Sequence, residues 1–355
     1  MKILFVANTS RFFSNFLMPL IHDLLDRGYA VYLASSGDWE VMDGVVYVDI
    51  GIQREPFARR NWGAFKALLA LMKQEHFDIV HCHTPMGGVL ARLAAWFSRE
   101  KMKVVYTAHG FHFFRGSSLT SWLAYFTIEY LLSWVTDDLI LINQEDYACA
   151  HQYRFHAGHI HLVHGVGIQR VDHVSFHFKD SEKFEMTYIA ELSDRKNQYL
   201  AIDVLSVIKK TIPDAVLNLV GDGPNLDRYK QYVTERGLVD SVIFHGYIKP
   251  IESILNYSDI IVFTSIQEGL PVAVMEAMAY LIPVVATDIR GCRDLIEDRV
   301  NGVLEAVNAD DIAARVVELY QNPLIALEYT RKSSERLDRF EAKKVNKDYI
   351  KIYES

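Results

Sequence analysis

Residues 259–291 read DIIVFTSIQEGLPVAVMEAMAYLIPVVATDIRG, and this stretch decides the fold. An apolar run, Ile260 to Phe263, meets Thr264 and Ser265, then a loop Gln267-Glu268-Gly269-Leu270-Pro271. A helix-like segment to Tyr280 and a second apolar run, Pro283 to Ala286, follow. The order strand, loop, helix, strand is one unit of a parallel sheet. Gly269 permits a tight backbone path, and Pro271 takes the place of a first helical residue. The loop therefore delivers free N–H groups and the positive end of a helix to one point. Such a point suits phosphate. Glu268 on the loop and Glu276 in the helix flank it, and carboxylates in that position are expected to hold hydroxyls rather than the anion.

The E-x7-E spacing within EGLPVAVME resembles the donor-site motif of the retaining glycosyltransferases of family 4, which have the GT-B fold. The resemblance implies that Glu276 grips the ribose hydroxyls of a nucleotide-sugar and that Glu268 lies by the sugar ring. On spacing alone, the two Glu residues would read as charges complementing a helix start. Gly-Leu-Pro between them and the flanking strands favour the site.

A chain of 355 residues, half of them apolar, suits two domains of similar size. Lys2 leads straight into Ile3-Leu4-Phe5-Val6, which predicts no secretory leader, and no uncharged run is long enough to span a bilayer. Cys82, Cys149 and Cys292 are odd in number and far apart, so free thiols in a reducing cytoplasm are expected. Basic and acidic residues balance over residues 1–170, so the net charge of −8 arises in the remainder and argues against nucleic acid as a partner.

In the first half, strand-like runs at Ile3–Ala7, Ala30–Ala34, Ile79–His81, Val104–Thr107 and Leu139–Ile142 alternate with helical patterns such as Asn15–Arg27 and Trp62–Glu75. This alternation predicts a doubly wound parallel sheet with ligands at the carboxyl ends of its strands. HCHTPMGG (81–88) and TAHGFHFF (107–114) stand at such ends. They resemble family 4 enzymes that add sugars to lipid-linked intermediates in capsule, exopolysaccharide and related glycan assembly. The resemblance implies that His109 reaches toward the transferred sugar. Phe12, Phe13, Thr84, Met86, Gly87, Phe111, His112, Phe113 and Phe114 are read as an acceptor and membrane side. Aromatic residues continue through Trp122 to Trp134, and Arg59, Arg60, Arg92, Arg99 and Arg115 supply charge for an anionic leaflet. Core packing is expected to take most of that aromatic stretch. The histidines at 151, 156, 159, 161, 164, 173 and 177 carry only a weak metal reading, since glycines mark the segment as a turn and a crossing.

In the second half, Met186–Ala190 reads as a strand. Ser193 or Asp194 is placed to cap the next helix, leaving Arg195 and Lys196 in its first turn, where cations oppose the dipole and call for an anion. The family resemblance puts Lys196, helped by Arg195, on the donor diphosphate, although Glu191 replaces a frequent Arg. Val216–Val220 ends in Gly221-Asp222-Gly223-Pro224, which resembles the family's turn beneath the nucleotide. Val242–Phe244 leads to Gly246-Tyr247-Ile248, which resembles its base-reading loop. Ser334–Ser355 reads as one helix with Leu337, Phe340, Val345, Tyr349 and Ile352 along a stripe.

These readings predict an α/β, GT-B architecture of two Rossmann-like doubly wound domains facing across a cleft. Residues 1–170 would bind acceptor, 171–335 would bind nucleotide-sugar, and a helix over 336–355 would return to the first domain. The resemblance implies a retaining hexosyl- or N-acetylhexosaminyltransferase that uses a UDP-linked donor and a polyprenyl-diphosphate-linked saccharide. It implies an enzyme located in the cytoplasm, peripheral on the inner face of the cell membrane. No Asp-x-Asp occurs, so no metal cofactor is expected, and Lys196, Arg195 and the helix end after Gly269 would face the diphosphate. A nucleotide-sugar epimerase or hydrolase of the same fold, and a non-catalytic sugar-nucleotide-binding subunit, are the competing readings.

Overall fold

The computed structural model describes residues 1–172, 174–176, 178 and 182–355, so His173, His177 and Lys179 of the crossing lie outside the described residues. The chain divides into two compact units, Met1–Gly167 with Ala342–Ser355, and Ile168–Glu341.

The first unit holds strands β1 (Lys2–Thr9), β2 (Ala30–Ser36), β3 (Val45–Asp49), β4 (Ile79–His83), β5 (Lys103–Ala108), β6 (Asp138–Leu141) and β7 (His159–Leu162). They form one parallel sheet in the order β3-β2-β1-β4-β5-β6-β7. The two strands absent from the sequence reading are β3 and β7. β7 pairs Asp138 with His159 and Ile140 with His161, so part of the histidine-rich stretch is an edge strand. Side chains alternate across a strand. Leu4, Val6, Val80, Cys82 and Tyr106 therefore pack on one face, beneath helices Arg60–Glu75 and Pro85–Ser98. Phe5, His81, His83 and Thr107 take the other.

The chain's last helix, Ala342–Glu354, belongs to this unit. Tyr353 Oη lies 2.6 Å from His81 Nδ1, Lys103 Nζ donates to the Ile352 carbonyl at 2.6 Å, and Asn346 Nδ2 donates to Asp23 Oδ2 at 2.7 Å. A single helix over Ser334–Ser355 is not formed. Helix Pro323–Leu337 gives way to the turn Asp338–Phe340, which puts Leu337 and Phe340 in the second unit while Val345, Tyr349 and Ile352 serve the first.

The aromatic stretch is helical from Leu119 to Val135, with a π turn at Trp122–Phe126. Trp122, Phe126 and Tyr130 face inward, and the rings of Trp122 and Phe126 pack on Phe113. Glu129 anchors the segment by pairing with Arg92 at 2.8 Å and accepting from Tyr106 Oη at 3.0 Å. Leu119, Leu123, Ile128, Leu131 and Trp134 point to solvent. This corrects the membrane reading at several positions. Phe13, Phe111 and Phe113 are core residues at no more than 2% exposure, Met86 is buried against the same core, and Arg92 is buried in its pair with Glu129. None of them has a surface to offer a bilayer.

The second unit holds β8 (Glu185–Ile189), β9 (Val216–Val220), β10 (Val242–Gly246), β11 (Ile260–Phe263), β12 (Val284–Thr287) and β13 (Val303–Glu305). Their order, β10-β9-β8-β11-β12-β13, repeats that of the first six strands of the other sheet. In each sheet the connections reverse direction between the first and fourth strands. In open α/β sheets ligands bind in the crevice at the carboxyl ends of those two strands. Each unit thus has one expected site, at the ends of β1 and β4, and of β8 and β11.

Candidate active site

At the ends of β8 and β11, two loops are stitched together. Ile266 N donates to the Arg195 carbonyl at 3.0 Å, Thr264 Oγ1 to the Asn197 carbonyl at 3.0 Å, and Tyr188 Oη to the Lys196 carbonyl at 2.5 Å. Arg195 and Lys196 do not stand in the first turn of a helix. They lie in a 3-10 turn, Asp194–Lys196, and helix Gln198–Ile208 starts only after Asn197, whose left-handed backbone separates the two. Neither Ser193 nor Asp194 caps that helix. The expected clash of cation and dipole is therefore absent. Lys196 Nζ instead lies 2.5 Å from Glu268 Oε1, Arg195 Nη1 is 4.0 Å from Oε2, and Arg195 also donates to the Gln267 carbonyl at 3.3 Å. Glu268 is buried.

The Glu268 backbone is held from below. Buried Arg290 donates through Nε to the Glu268 carbonyl at 3.0 Å. Gly291, at φ +81°, passes so close to Gly269 that a Cβ on it would sit 2.5 Å from the Gly269 carbonyl oxygen. Only glycine fits there. Leu270 is buried, and Pro271 is the N-cap of helix Val272–Ala279, one position earlier than the sequence reading had it. The carboxylate of Glu276, half-buried in that helix, makes no hydrogen bond with a described residue. Burial, with the Glu252 carboxylate as a second cause, pushes its pKa up to about 7. A carboxylate so placed lacks the donors that an ionised acid needs.

The turn Gly221–Pro224 closes against the same loop. Gly221, at φ +134°, lies over Ala190, where a Cβ would come within 2.1 Å of the carbonyl oxygen, and Gly223 lies over the Leu192 carbonyl. Leu192 N donates to the Asp222 carbonyl at 2.9 Å. Glycine here sets how closely the ends of β8 and β9 approach. Tyr247 is exposed and Ile248 half-buried beyond β10.

At the ends of β1, β4 and β5, His109 Nε2 lies 3.0 Å from His83 Nδ1, and the Phe12 ring meets both imidazoles at 5.0 and 5.2 Å. Thr84 has φ +63°, a strained backbone for a β-branched residue. Asn8 holds it in place. Asn8 N donates to Thr84 Oγ1 at 3.0 Å, and Asn8 Oδ1 accepts from Thr84 Oγ1 and from Gly87 N, both at 2.8 Å. Gly87 is packed between Thr84 and Ala7. His112 is exposed with its ring 4.8 Å from that of Tyr125, and Phe114 is half-buried. The structure thus gathers Phe12, Thr84, Gly87 and His109 around one point and gives Phe13, Phe111 and Phe113 to the core. Asn8 and His83 stand at strand ends where the sequence reading expected ligands but gave them no role, whereas Tyr188 and Arg290 are site residues that it did not place. Burial at a strand's last residue was the available signal for His83, and nothing local marked Arg290.

Two histidines of the histidine-rich stretch do meet a carboxylate, with donor atoms of Asp138, His159 and His161 within 4.8 Å of one another. Asp138 is already paired with His161 at 2.6 Å and with Lys103 at 3.3 Å, and a lysine beside the one carboxylate opposes a second cation. His156 stacks on Trp134 at 3.8 Å and bonds Tyr130 Oη.

The family description "Glycosyl transferases group 1" matches residues 171–340, and "Glycosyl transferase 4-like" matches residues 2–144. The "Putative glycosyltransferase EpsD" of Bacillus subtilis (strain 168) is 35% identical across 99% of this chain and 96% of its own length. An Escherichia coli UDP-Gal:alpha-D-GlcNAc-diphosphoundecaprenol alpha-1,3-galactosyltransferase is 30% identical over 69% of this chain and 66% of its own. Among solved structures, Anabaena HepE in complex with UDP-glucose superposes with a TM-score of 0.80 at 18% identity, covering 99% of both chains.

Proposed function

Since the chain belongs to the group 1, family 4-like glycosyltransferases and has their GT-B fold, we propose that it moves a hexose or N-acetylhexosamine from a UDP-sugar to a polyprenyl-diphosphate-linked saccharide, with retention, in surface-polysaccharide assembly. The observation that carries this reading is the pairing of Lys196 and Arg195 with Glu268 at the ends of β8 and β11, with Glu276, whose carboxylate has no hydrogen-bond partner among the described residues, on the helix that follows. Ribose hydroxyls supply the donors that Glu276 lacks. A diphosphate supplies the anion for Lys196 and Arg195 and for the N-terminus of helix Val272–Ala279. The acceptor class rests on the E. coli relative, whose name gives a UDP-sugar donor and a diphosphoundecaprenol-linked acceptor.

For retention, the acceptor attacks the face that the diphosphate vacates. Glu268, bound to Lys196, is a poor nucleophile because its charge is already spent on the ammonium. The departing phosphate takes the acceptor's proton, through an oxocarbenium-like state. Charge on the phosphate is met by side chains rather than by a divalent ion.

The outward row Leu119, Leu123, Ile128, Leu131 and Trp134, with Arg115 exposed at its start, supports a peripheral position on an anionic membrane surface. Among the described residues no helix is long and apolar enough to cross a membrane.

The test is a panel of nucleotide-sugars with and without a polyprenyl-diphosphate saccharide, each in EDTA and in Mg²⁺. Transfer that needs the lipid-linked acceptor and survives EDTA is expected. Donor turnover indifferent to acceptor would point to a hydrolase or epimerase, and abolition by EDTA would overturn metal independence.

A further inference from the structure

His83 bears on how His109 can meet a ligand. It is the last residue of β4, with no exposed surface, and its ring is bounded by Phe5, Phe12 and His81, the last at 4.1 Å between centroids. Its Nδ1 faces His109 Nε2 at 3.0 Å, while its Nε2 is buried and has no hydrogen-bond partner among the described residues. His81 cannot provide one, because both its nitrogens are engaged, by Tyr353 Oη and by Thr107 Oγ1. Burial holds the His83 and His109 pKa values below the ordinary histidine value, His109 at about 4, so both rings are neutral near pH 7.

One proton then lies between the two imidazoles, and it has two possible owners. If His109 Nε2 carried it, His83 would have to hold its own proton on Nε2, burying an N–H with no acceptor. If His83 Nδ1 carries it, only a lone pair is left without a partner. Orphaned buried N–H groups are the rarer defect in folded proteins. His109 Nε2 is then the acceptor, its proton sits on Nδ1, and that nitrogen has no hydrogen-bond partner among the described residues.

We propose that His83 is a positioning residue that fixes His109 in the Nδ1–H tautomer, so that His109 presents a ligand with an N–H donor and not a basic lone pair. That donor suits a sugar hydroxyl or a phosphate oxygen, and His109 is not the group that takes the acceptor's proton. The ligand's identity rests on the glycosyltransfer reading above, but the tautomer does not.

The two are separated by measuring them independently. In histidine-¹⁵N-labelled protein, long-range ¹H–¹⁵N correlations, assigned with His109→Gln and His83→Asn, should show both residues protonated on Nδ1. Protonation of His109 on Nε2 overturns the proposal. In transfer assays His83→Asn, whose amide nitrogen can stand where Nδ1 stands, should keep most of kcat. His83→Leu should lose about tenfold or more, with donor KM changed far less. Equal loss in the two variants, with equal thermal midpoints, overturns the donor role. Absence of transfer by the unaltered protein, with both rings protonated on Nδ1, would instead sink the glycosyltransfer reading.

Discussion

Lys196 Nζ and Glu268 Oε1 lie 2.5 Å apart, in a pair whose carboxylate is buried and whose ammonium is largely so. The cation assigned to the diphosphate is therefore already matched inside the protein. Any anion arriving at Lys196 competes with Glu268 for it. The pair also holds Glu268 in one place before ligand arrives, which spares part of the ordering cost of binding.

Glu268→Gln releases Lys196 from that competition. Binding of plain UDP should be retained or tightened, by up to about 1.4 kcal/mol, while sugar transfer falls steeply. Lys196→Ala should do the reverse to UDP. It weakens binding and, by leaving a buried carboxylate short of its partner, lowers stability by about 3 kcal/mol. Calorimetry with UDP and a thermal melt on both variants check this. A Glu268→Gln protein that loses UDP affinity would show that the carboxylate helps to build the phosphate site instead of restraining it.

In its proposed role at the ribose, Glu276 should make nucleotide affinity pH-dependent. Its pKa is raised from 4.5 to about 7, so the unliganded fold favours the neutral acid, and that contribution to stability fades as pH climbs from about 4.5 toward 7. Ribose hydroxyls donate best to the ionised form. UDP should therefore bind more tightly at pH 8 than at pH 6 and release a proton below about pH 7. Titrations in two buffers of different ionisation enthalpy would measure that proton, and Glu276→Gln should abolish the slope. An unchanged slope in the variant would move the dependence to another group.

Much of this site could be read from the chain alone because its information is local. Gly269-Leu270-Pro271 between two apolar runs fixes the loop and the helix after it, and E-x7-E then falls in place. Partners brought together by the sheet order could not be read. Arg290 reaches Glu268, and Lys196 pairs with a carboxylate 72 residues away, because β8 and β11 are neighbours. Nor could the facing of the aromatic helix. Its π turn at Trp122–Phe126 shifts the phase of the residues that follow, so a count at 3.6 residues per turn does not separate inward Phe126 from outward Leu123. The break at Asp338–Glu341 escaped for a similar reason, since one apolar stripe there serves two different cores.

The last helix should matter to the first unit and not to the second. Tyr353 Oη is a partner of buried His81, and Tyr349 Oη donates to the Gly165 carbonyl at 3.1 Å in the same layer. Tyr353→Phe strands His81 Nδ1 and should cost about 1–3 kcal/mol. UDP affinity, which the proposed function assigns to Ile168–Glu341, should be unchanged. A matching loss of UDP affinity in a protein that still melts cooperatively would contradict this division of labour.

The final prediction separates surface from core on the aromatic segment. Leu123, Leu131 and Trp134 are 76%, 60% and 64% exposed on the outward row, whereas Phe113 is 1% exposed beneath it. Moving an exposed side chain of this size into a bilayer contributes about 1.5–3 kcal/mol, and each nearby basic residue about 1 kcal/mol on an anionic leaflet. Three such residues with Arg115 are enough for reversible docking. The triple change of Leu123, Leu131 and Trp134 to Ser should abolish sedimentation with phosphatidylserine-containing vesicles at a thermal midpoint little changed, because all three side chains are exposed and Trp134 stacks on His156, itself exposed. Phe113→Ser should act the other way, lowering stability by about 3–5 kcal/mol through a cavity and an unpaired hydroxyl. If the unaltered protein ignores anionic vesicles, the row covers some other partner. If the triple change melts early, the row is packing surface and the membrane reading fails.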